Sequence, residues 1–326
     1  MKLSFVIPFF NEENSLNTLY KEILEQINGY EYEIIFIDDG SKDNSYQIVK
    51  GLSEKDNNVK IIKFRRNFGK SAALNTGFQN TTGDIIFTMD ADLQDDPAEI
   101  PKFLEIIGTQ TLGTQTSCLQ TSKEKSWDIV TGWKKKRKDP LSKRLASKLF
   151  NFVASLTFGF KLHDYNCGFK AYKNHVLKEI DIYGEMHRYI PALARARGFT
   201  VKEIPVNHRQ RAFGKSKFGS ERYIRGYLDL LTVKLVTAFN RSPLYLFGGI
   251  GTIFTGAGFL LGAYLTILRV LKIIYLSNRP LLFFCMLLII VGFQFFSIGL
   301  IGELLVNQSR KLNRNDIVSI EEKVNF

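Results

Sequence analysis

Residues 33–64 read EIIFIDDGSKDNSYQIVKGLSEKDNNVKIIKF. A β-branched apolar run (Glu33–Ile37) leads into an acidic turn, a stretch of helical spacing (Asp43–Glu54) and a second apolar run (Val59–Phe64). Strand-length runs on either side of an amphipathic stretch spell a strand–helix–strand unit. The pattern extends outward from it. Leu3–Ile7 and Asp84–Met89 are further strand-like runs, and Asn14–Ile27 and Gly69–Phe78 carry helical spacing. This order predicts an α/β fold, a mostly parallel, Rossmann-like sheet with helices on both faces. Such sheets bind ligands at the carboxyl ends of their strands.

Beyond this unit the chain changes character twice. Gly108–Ser126 is rich in Thr, Gln and Ser, repeats GTQT at 108–111 and 113–116, and reads as a surface loop with no evident physical reason to be there. The pattern then resumes with a strand Trp127–Thr131, a helix Pro140–Leu156, the segment His163–Tyr172, a helix Glu185–Arg197 and a strand Thr200–Val206. Ser220–Phe239 is amphipathic, suited to a helix in a membrane interface or to an ordinary core-facing helix. Ser242–Leu268 and Pro280–Gly302 are uncharged. Each exceeds the roughly 20 residues that a helix needs to cross a bilayer. The expected organisation is a catalytic domain (1–219), a juxtamembrane helix (220–241), a transmembrane hairpin (242–306) and a tail (307–326).

The charges beside the apolar runs predict an orientation. Arg222, Arg225, Lys234, Arg241, Arg310, Lys311 and Arg314 lie on the outer flanks, against Arg269, Lys272 and Arg279 in the connecting turn. The positive-inside rule therefore puts both ends in the cytoplasm. Gly258-x-x-x-Gly262 would allow close helix contact within the hairpin or between protomers. With 326 residues and a net charge of +12, the chain suits an anionic partner such as nucleotide phosphates or acidic lipid. No nucleic-acid-binding motif is recognisable, so nucleic acid is not an expected partner. Cys118, Cys167 and Cys285 lack metal-like spacing and are expected as reduced thiols.

Four motifs fall at predicted strand ends. Met89-Asp90-Ala91-Asp92-Leu93-Gln94-Asp95-Asp96-Pro97 offers carboxylates two apart, which can converge on Mg²⁺ or Mn²⁺. The plainer alternative is solvated acids and a cap ahead of Pro97. Asp38-Asp39-Gly40-Ser41 can accept from a base or a ribose, or cap a turn. Pro8-Phe9-Phe10-Asn11-Glu12 ends the first strand, and Asn67-Phe68-Gly69-Lys70 opens a helix whose N-terminus can face an anion. Downstream, Arg209, Arg211 and Lys215 form a basic cluster fit for phosphate oxygens or for anionic lipid.

In this order and spacing, F-V-I-P-F-F-N-E-E (5–13), I-D-D-G-S (37–41), R-N-F-G-K (66–70) and M-D-A-D-L-Q (89–94) resemble the inverting glycosyltransferases of family 2. H-D-Y-N-C-G-F-K (163–170), H-R-Y-I-P (187–191) and the basic cluster resemble its polyprenyl-phosphate branch, which includes dolichol-phosphate mannose synthases and bactoprenol-phosphate glucosyltransferases. The resemblance implies a GT-A fold and a homo-oligomer, a tetramer, in the cell inner (plasma) membrane with its catalytic domain cytoplasmic. It implies transfer from a nucleotide sugar, UDP-glucose before GDP-mannose, to undecaprenyl phosphate. Pro8, Glu12, Asp38 and Asp39 would hold the nucleoside, and Asp90, Asp92 and Gln94 the metal. Arg137, Arg209, Arg211 and Lys215 would face phosphates. Asp164 would be catalytic, as a general base or as an organiser of the acceptor. Trp133 stands where the family tends to carry an arginine, leaving open which residue of Lys134–Arg137 faces phosphate.

Overall fold

The computed structural model describes residues 1–108, 127–135, 151, 153–155, 158–180, 182, 184, 186–210, 243–272, 280–309 and 320–324. The chain divides into two compact units, Met1–Val233 with Asp316–Phe326, and Lys234–Asn315.

In the first unit, β1 (Lys2–Phe9), β2 (Glu31–Asp38), β3 (Val59–Phe64), β4 (Ile85–Thr88), β5 (Ile129–Lys134), β6 (Lys170–Lys173), β7 (Val201–Val206) and β8 (Ile320–Val324) form one sheet, ordered β7-β5-β6-β4-β1-β2-β3-β8. The run β4-β1-β2-β3 is parallel, as is β5 with β7. β6 pairs antiparallel with both β4 and β5, and β8 pairs antiparallel with β3.

The alternation of side chains along β1 explains the layering. Leu3, Phe5, Ile7 and Phe9 join one buried cluster with α1 (Leu16–Gln26), α2 (Ser45–Ser53) and α4 (Ile100–Gly108). Val6, facing the other way, joins a second with α3 (Lys70–Gln79), α5 (Asn174–Glu179) and α6 (Ile190–Ala196). Phe103 of α4 stacks on Phe169 with ring centroids 4.4 Å apart, pinning the chain just before β6.

Three features depart from the sequence-based expectations. The expected helix 185–197 is a 3₁₀ turn, Met186–Tyr189, followed by α6. Pro191, in the first turn of α6, has no N–H with which to continue a preceding helix. α4 is additional. The stretch 307–326, expected as a tail, supplies a sheet strand, β8, while the preceding helix runs on to Ser309. The loop 109–126 and the amphipathic stretch 220–239 lie outside the described residues, as does most of the helix expected over 140–156.

The second unit pairs α7 (Pro243–Val270) with α8 (Pro280–Ser309). Leu244–Val270 and Pro280–Leu305 are long and apolar enough to cross a membrane, and little of either is buried within the chain. A Cβ added at Gly251 would fall 2.7 Å from the Gly292 carbonyl oxygen, and one at Gly258 would fall 2.7 Å from the Ile289 side chain. The close seam thus runs through Gly251 and Gly258, whereas Gly262 faces open space.

Candidate active site

The loops after β1 and β2 are laced together. Asn11, at φ 54°, donates its N–H to Ser41 Oγ (3.0 Å) and accepts from the Lys42 N–H (2.8 Å). The Glu12 N–H donates to Ser45 Oγ at 2.8 Å. Asp38 is fully buried and accepts from the Ser41 N–H at 2.7 Å. Burial pushes its carboxyl above the usual range. Asp39 reaches the next loop, accepting from the Phe68 N–H (2.7 Å) and the Gly69 N–H (3.0 Å). Burial still raises its pKa to about 6. Gly40, at φ +75°, makes this approach possible, since a Cβ there would lie 2.6 Å from the Arg66 backbone. Pro8, in register with Ile37, and Glu12 are half-buried. The expected nucleoside residues Pro8, Glu12, Asp38 and Asp39 therefore gather at one sheet edge.

Asp39 holds the Phe68–Gly69 turn from which α3 starts, and Lys70, the first residue of α3, donates to the Asp90 carboxylate. Burial opposes ionisation of Asp90, yet Lys70, then Lys134 and Lys170, pull its carboxyl down to about 2. The chain then turns through Leu93 at φ 60°. Asp92 Oδ1 accepts from the Gln94 N–H at 3.1 Å. Asp95 accepts from the Asp90 N–H (3.2 Å) and pairs with Lys134 Nζ (2.9 Å). Asp96 caps the short helical turn at Pro97, accepting from the Ala98 N–H at 3.1 Å. The capping reading holds for Asp95 and Asp96, which fasten the loop. Asp90, Asp92 and Gln94 are the residues that the metal reading names.

Those three offer oxygen side-chain donors, which suits a hard cation such as Mg²⁺ or Mn²⁺. Asp90 already attracts a cation, the Lys70 ammonium. The Asp90 carboxylate packs directly against Gly168, where an added Cβ would fall 2.7 Å from it. The residues fit a divalent ion that takes the rest of its shell from a donor's phosphates. Among the described residues, no three His, Cys, Asp or Glu side chains converge on one point.

Asp164 is buried. Its N–H donates to Glu203 Oε1 (2.9 Å), and its own Oδ1 accepts from the Asn166 N–H (3.1 Å). Glu203 also holds His163, whose ring stacks on Trp133 at 4.2 Å. Trp133 therefore buttresses the Asp164 turn. Cys167 is buried with its thiol pushed up to about 12 by burial, so it stays protonated and is no nucleophile at neutral pH.

Arg209, expected to clamp phosphate, is otherwise engaged. It donates to Glu22 Oε2 and to Asp96 Oδ1, each at 2.6 Å, and its N–H meets the Gln94 carbonyl oxygen at 3.0 Å. It ties α1 to the acidic loop. Arg137, Arg211 and Lys215 lie outside the described residues. Lys170 and Arg188 are both buried near this site; the sequence-based reading quotes them only within the motifs 163–170 and 187–191 and gives them no role of their own.

The strand order, the acidic loop after β4 and the laced β1–β2 edge define a GT-A-like fold. The chain matches the family model described as Glycosyl transferase family 2 over residues 4–181, more than half of its length, and belongs to that family. It is 34% identical over 306 residues to the undecaprenyl-phosphate 4-deoxy-4-formamido-L-arabinose transferase of Photorhabdus laumondii, with 93% of this chain and 88% of that one covered. It is 32% identical over 316 residues to the dodecaprenyl-phosphate galacturonate synthase of Rhizobium johnstonii, covering 94% and 88%. Glucosyl-3-phosphoglycerate synthase from Mycobacterium tuberculosis, solved with Mn²⁺, UDP-glucose and phosphoglyceric acid, shares the fold. That likeness has a TM-score of 0.53 and 16% identity over 72% of this chain and 79% of that chain.

Proposed function

We propose that this glycosyltransferase moves a sugar, with inversion, from a nucleotide sugar to undecaprenyl phosphate at the cytoplasmic face of the inner membrane. One observation carries the reading. A single chain joins a carboxylate-lined strand-end site to two helices long enough to cross a bilayer. A soluble nucleotide and a lipid acceptor are the substrates that such a chain brings together. The relatives named for undecaprenyl and dodecaprenyl phosphate support the acceptor. UDP-glucose is the first donor to test and GDP-mannose the second.

In this reading an acceptor phosphate oxygen bonds to the anomeric carbon. The bond from that carbon to the donor diphosphate breaks, and its electron pair leaves with the nucleoside diphosphate. Pro8, Glu12, Asp38 and Asp39 hold the nucleoside. Asp90, Asp92 and Gln94 would hold Mg²⁺ or Mn²⁺, which would neutralise the leaving diphosphate. Arg137, Arg211 and Lys215 face phosphates, while Arg209 supports them by fixing Asp96. A phosphate monoester carries about −1.5 to −2 charges at pH 7, so it attacks without a strong base. Asp164, which closes its own turn through Asn166, acts as an organiser.

The rival reading is a nucleotide-sugar-binding membrane module without catalysis. An Asp90 carboxylate held ionised just past β4 argues against it. The test incubates purified protein with undecaprenyl phosphate, Mg²⁺ and a panel of donors: UDP-glucose, GDP-mannose, UDP-galacturonate and UDP-formamido-arabinose. A lipid-linked sugar from one donor, lost in Asp92→Asn, is expected. No product from any donor defeats the proposal.

A further inference from the structure

Gln294 stands near the middle of the second apolar span, with 14 residues of Pro280–Leu305 before it and 11 after. At 1.5 Å per residue, either end of the span is about 16–21 Å away along the helix, farther than a glutamine side chain reaches. Its amide brings two N–H donors and a carbonyl acceptor into the hydrocarbon. Nothing in its own chain meets them: among the described residues the Gln294 side chain is exposed and has no hydrogen-bond partner. Hydroxyls of the same helix pair are different. Thr252, Thr266 and Ser297 each donate to the carbonyl oxygen four residues earlier, at 2.8–3.0 Å. An amide left unpartnered in hydrocarbon is costly.

Gln294 also lies on a ridge. Leu287, Ile290, Gln294, Ser297, Ile301 and Leu304 follow one another at alternating spacings of three and four residues, and all six are exposed. That spacing is the seam of a left-handed helix pair, the a and d positions of a heptad. α7 does not occupy it. The face of α8 turned to α7 runs through Gly292 and Gly299, where an added Cβ would meet Thr255 or Phe247 of α7. Gln294 follows Gly292 by two residues, about 200° around the helix, and so points away from α7.

We propose that this ridge packs against the same ridge of a second copy of the chain, with the two Gln294 amides hydrogen-bonding to each other at the centre of the bilayer. Copies inserted the same way round are related by rotation about the bilayer normal, so each ridge residue meets its counterpart at the same depth. A carboxamide suits that axis because it both donates and accepts. Ser297, whose hydroxyl is engaged with the Phe293 carbonyl oxygen, is small enough to let the helices approach closely there. The oligomer that the sequence resemblance implies thereby gains a contact, on α8 and not at the open Gly262 of α7. The inference rests on the two helices spanning the bilayer and is independent of which donor or acceptor the enzyme uses.

The full chain, labelled in separate batches with donor and acceptor fluorophores and mixed in phosphatidylcholine vesicles, reports self-association by energy transfer as lipid dilutes it. Gln294→Leu should shift the midpoint about three- to thirtyfold toward higher protein density, the range for interhelical hydrogen bonds in membranes. Gln294→Asn, which keeps the amide, should recover part of that loss. Gly262→Leu, on the open side of α7, should leave the midpoint within twofold. Oxidative crosslinking then maps the face, with Cys118 replaced by serine and Cys167 and Cys285 buried. Ile290→Cys and Ile301→Cys should give crosslinked dimers, and Phe284→Cys, off the ridge, should not. Energy transfer no greater than random at every density overturns the proposal, as does an unchanged midpoint in Gln294→Leu. Crosslinking strongest at Phe284→Cys, or a shift confined to Gly262→Leu, places the interface elsewhere and overturns it equally. Sugar transfer is not a readout here, so each of these outcomes leaves the proposed reaction standing.

Discussion

Alanine at position 168 tests whether close packing places Asp90. The added Cβ would lie 2.7 Å from the carboxyl carbon and both oxygens of Asp90, while ordinary contact begins at 3.4 Å. The carboxylate, or the bend carrying residue 168, must therefore give by about 0.7 Å. Ligand distances for Mg²⁺ are about 2.0–2.1 Å and tolerate little error. A misplacement of about 1 Å in an active site costs on the order of 100-fold. Gly168→Ala should then lower kcat/KM by roughly 30- to 100-fold, about 2–2.7 kcal/mol of transition-state stabilisation. Overpacking would cost the fold a further ~1–3 kcal/mol. The measurements are sugar transfer to farnesyl phosphate, Mn²⁺ affinity by electron paramagnetic resonance of the free ion, and thermal unfolding. A folded variant within threefold of wild type in both transfer and Mn²⁺ affinity would refute the reasoning.

Four further outcomes are expected. Gly51→Ala, inside α2 where a Cβ meets nothing within 4 Å, should raise stability by about 0.5–1 kcal/mol and leave transfer unchanged, as thermal unfolding and rate assays will show. Asp39 has a folded pKa of about 6 against 3.8 as its ordinary value. The folded chain thus holds this proton more tightly, and its contribution to stability should fall as pH rises from about 4 through 6, by up to about 3 kcal/mol. Asp39→Asn should remove that slope; parallel denaturation curves for the two proteins across pH 4–7.5 contradict the assignment. Asp164→Asn should lose activity with a pH profile parallel to the wild type between about pH 5.5 and 8.5, whereas recovery at high pH would make Asp164 a base. A cysteine placed at Ser277, between the two apolar helices, should react with an impermeant reagent in intact cells, and protection there with labelling of the chain's ends would reverse the proposed orientation.

The parallel core was legible because β1, β2 and β4 carry near-continuous apolar runs buried on both faces, and such runs survive any reading window. The strand-end carboxylates were legible for a related reason, since an acidic pair directly after an apolar run has few places to go but the sheet edge. Partners distant along the chain were not. Arg209 looks like a phosphate clamp by residue type, and its engagement with Glu22 follows only once α1 packs beside the acidic loop. Lys170 and Arg188 were given no role of their own, because nothing in their neighbourhood along the chain shows that the fold closes over them. β8 was hidden most thoroughly. Ile320–Val324 carries three charged residues in five, and its strand character comes from the exposed edge of β3 that it meets.

That last strand has a practical corollary for anyone wanting the catalytic unit in water. The unit is written in two pieces, Met1–Val233 and Asp316–Phe326, so the apolar helix pair sits inside it as an insertion. Cutting the chain ahead of α7 discards β8 along with the helices. β3 then becomes the outermost strand, with a bare ladder of N–H and C=O groups ready to recruit another chain. Excising 234–315 and rejoining the ends through a flexible linker keeps the cover in place. The route to a soluble enzyme is deletion from the middle.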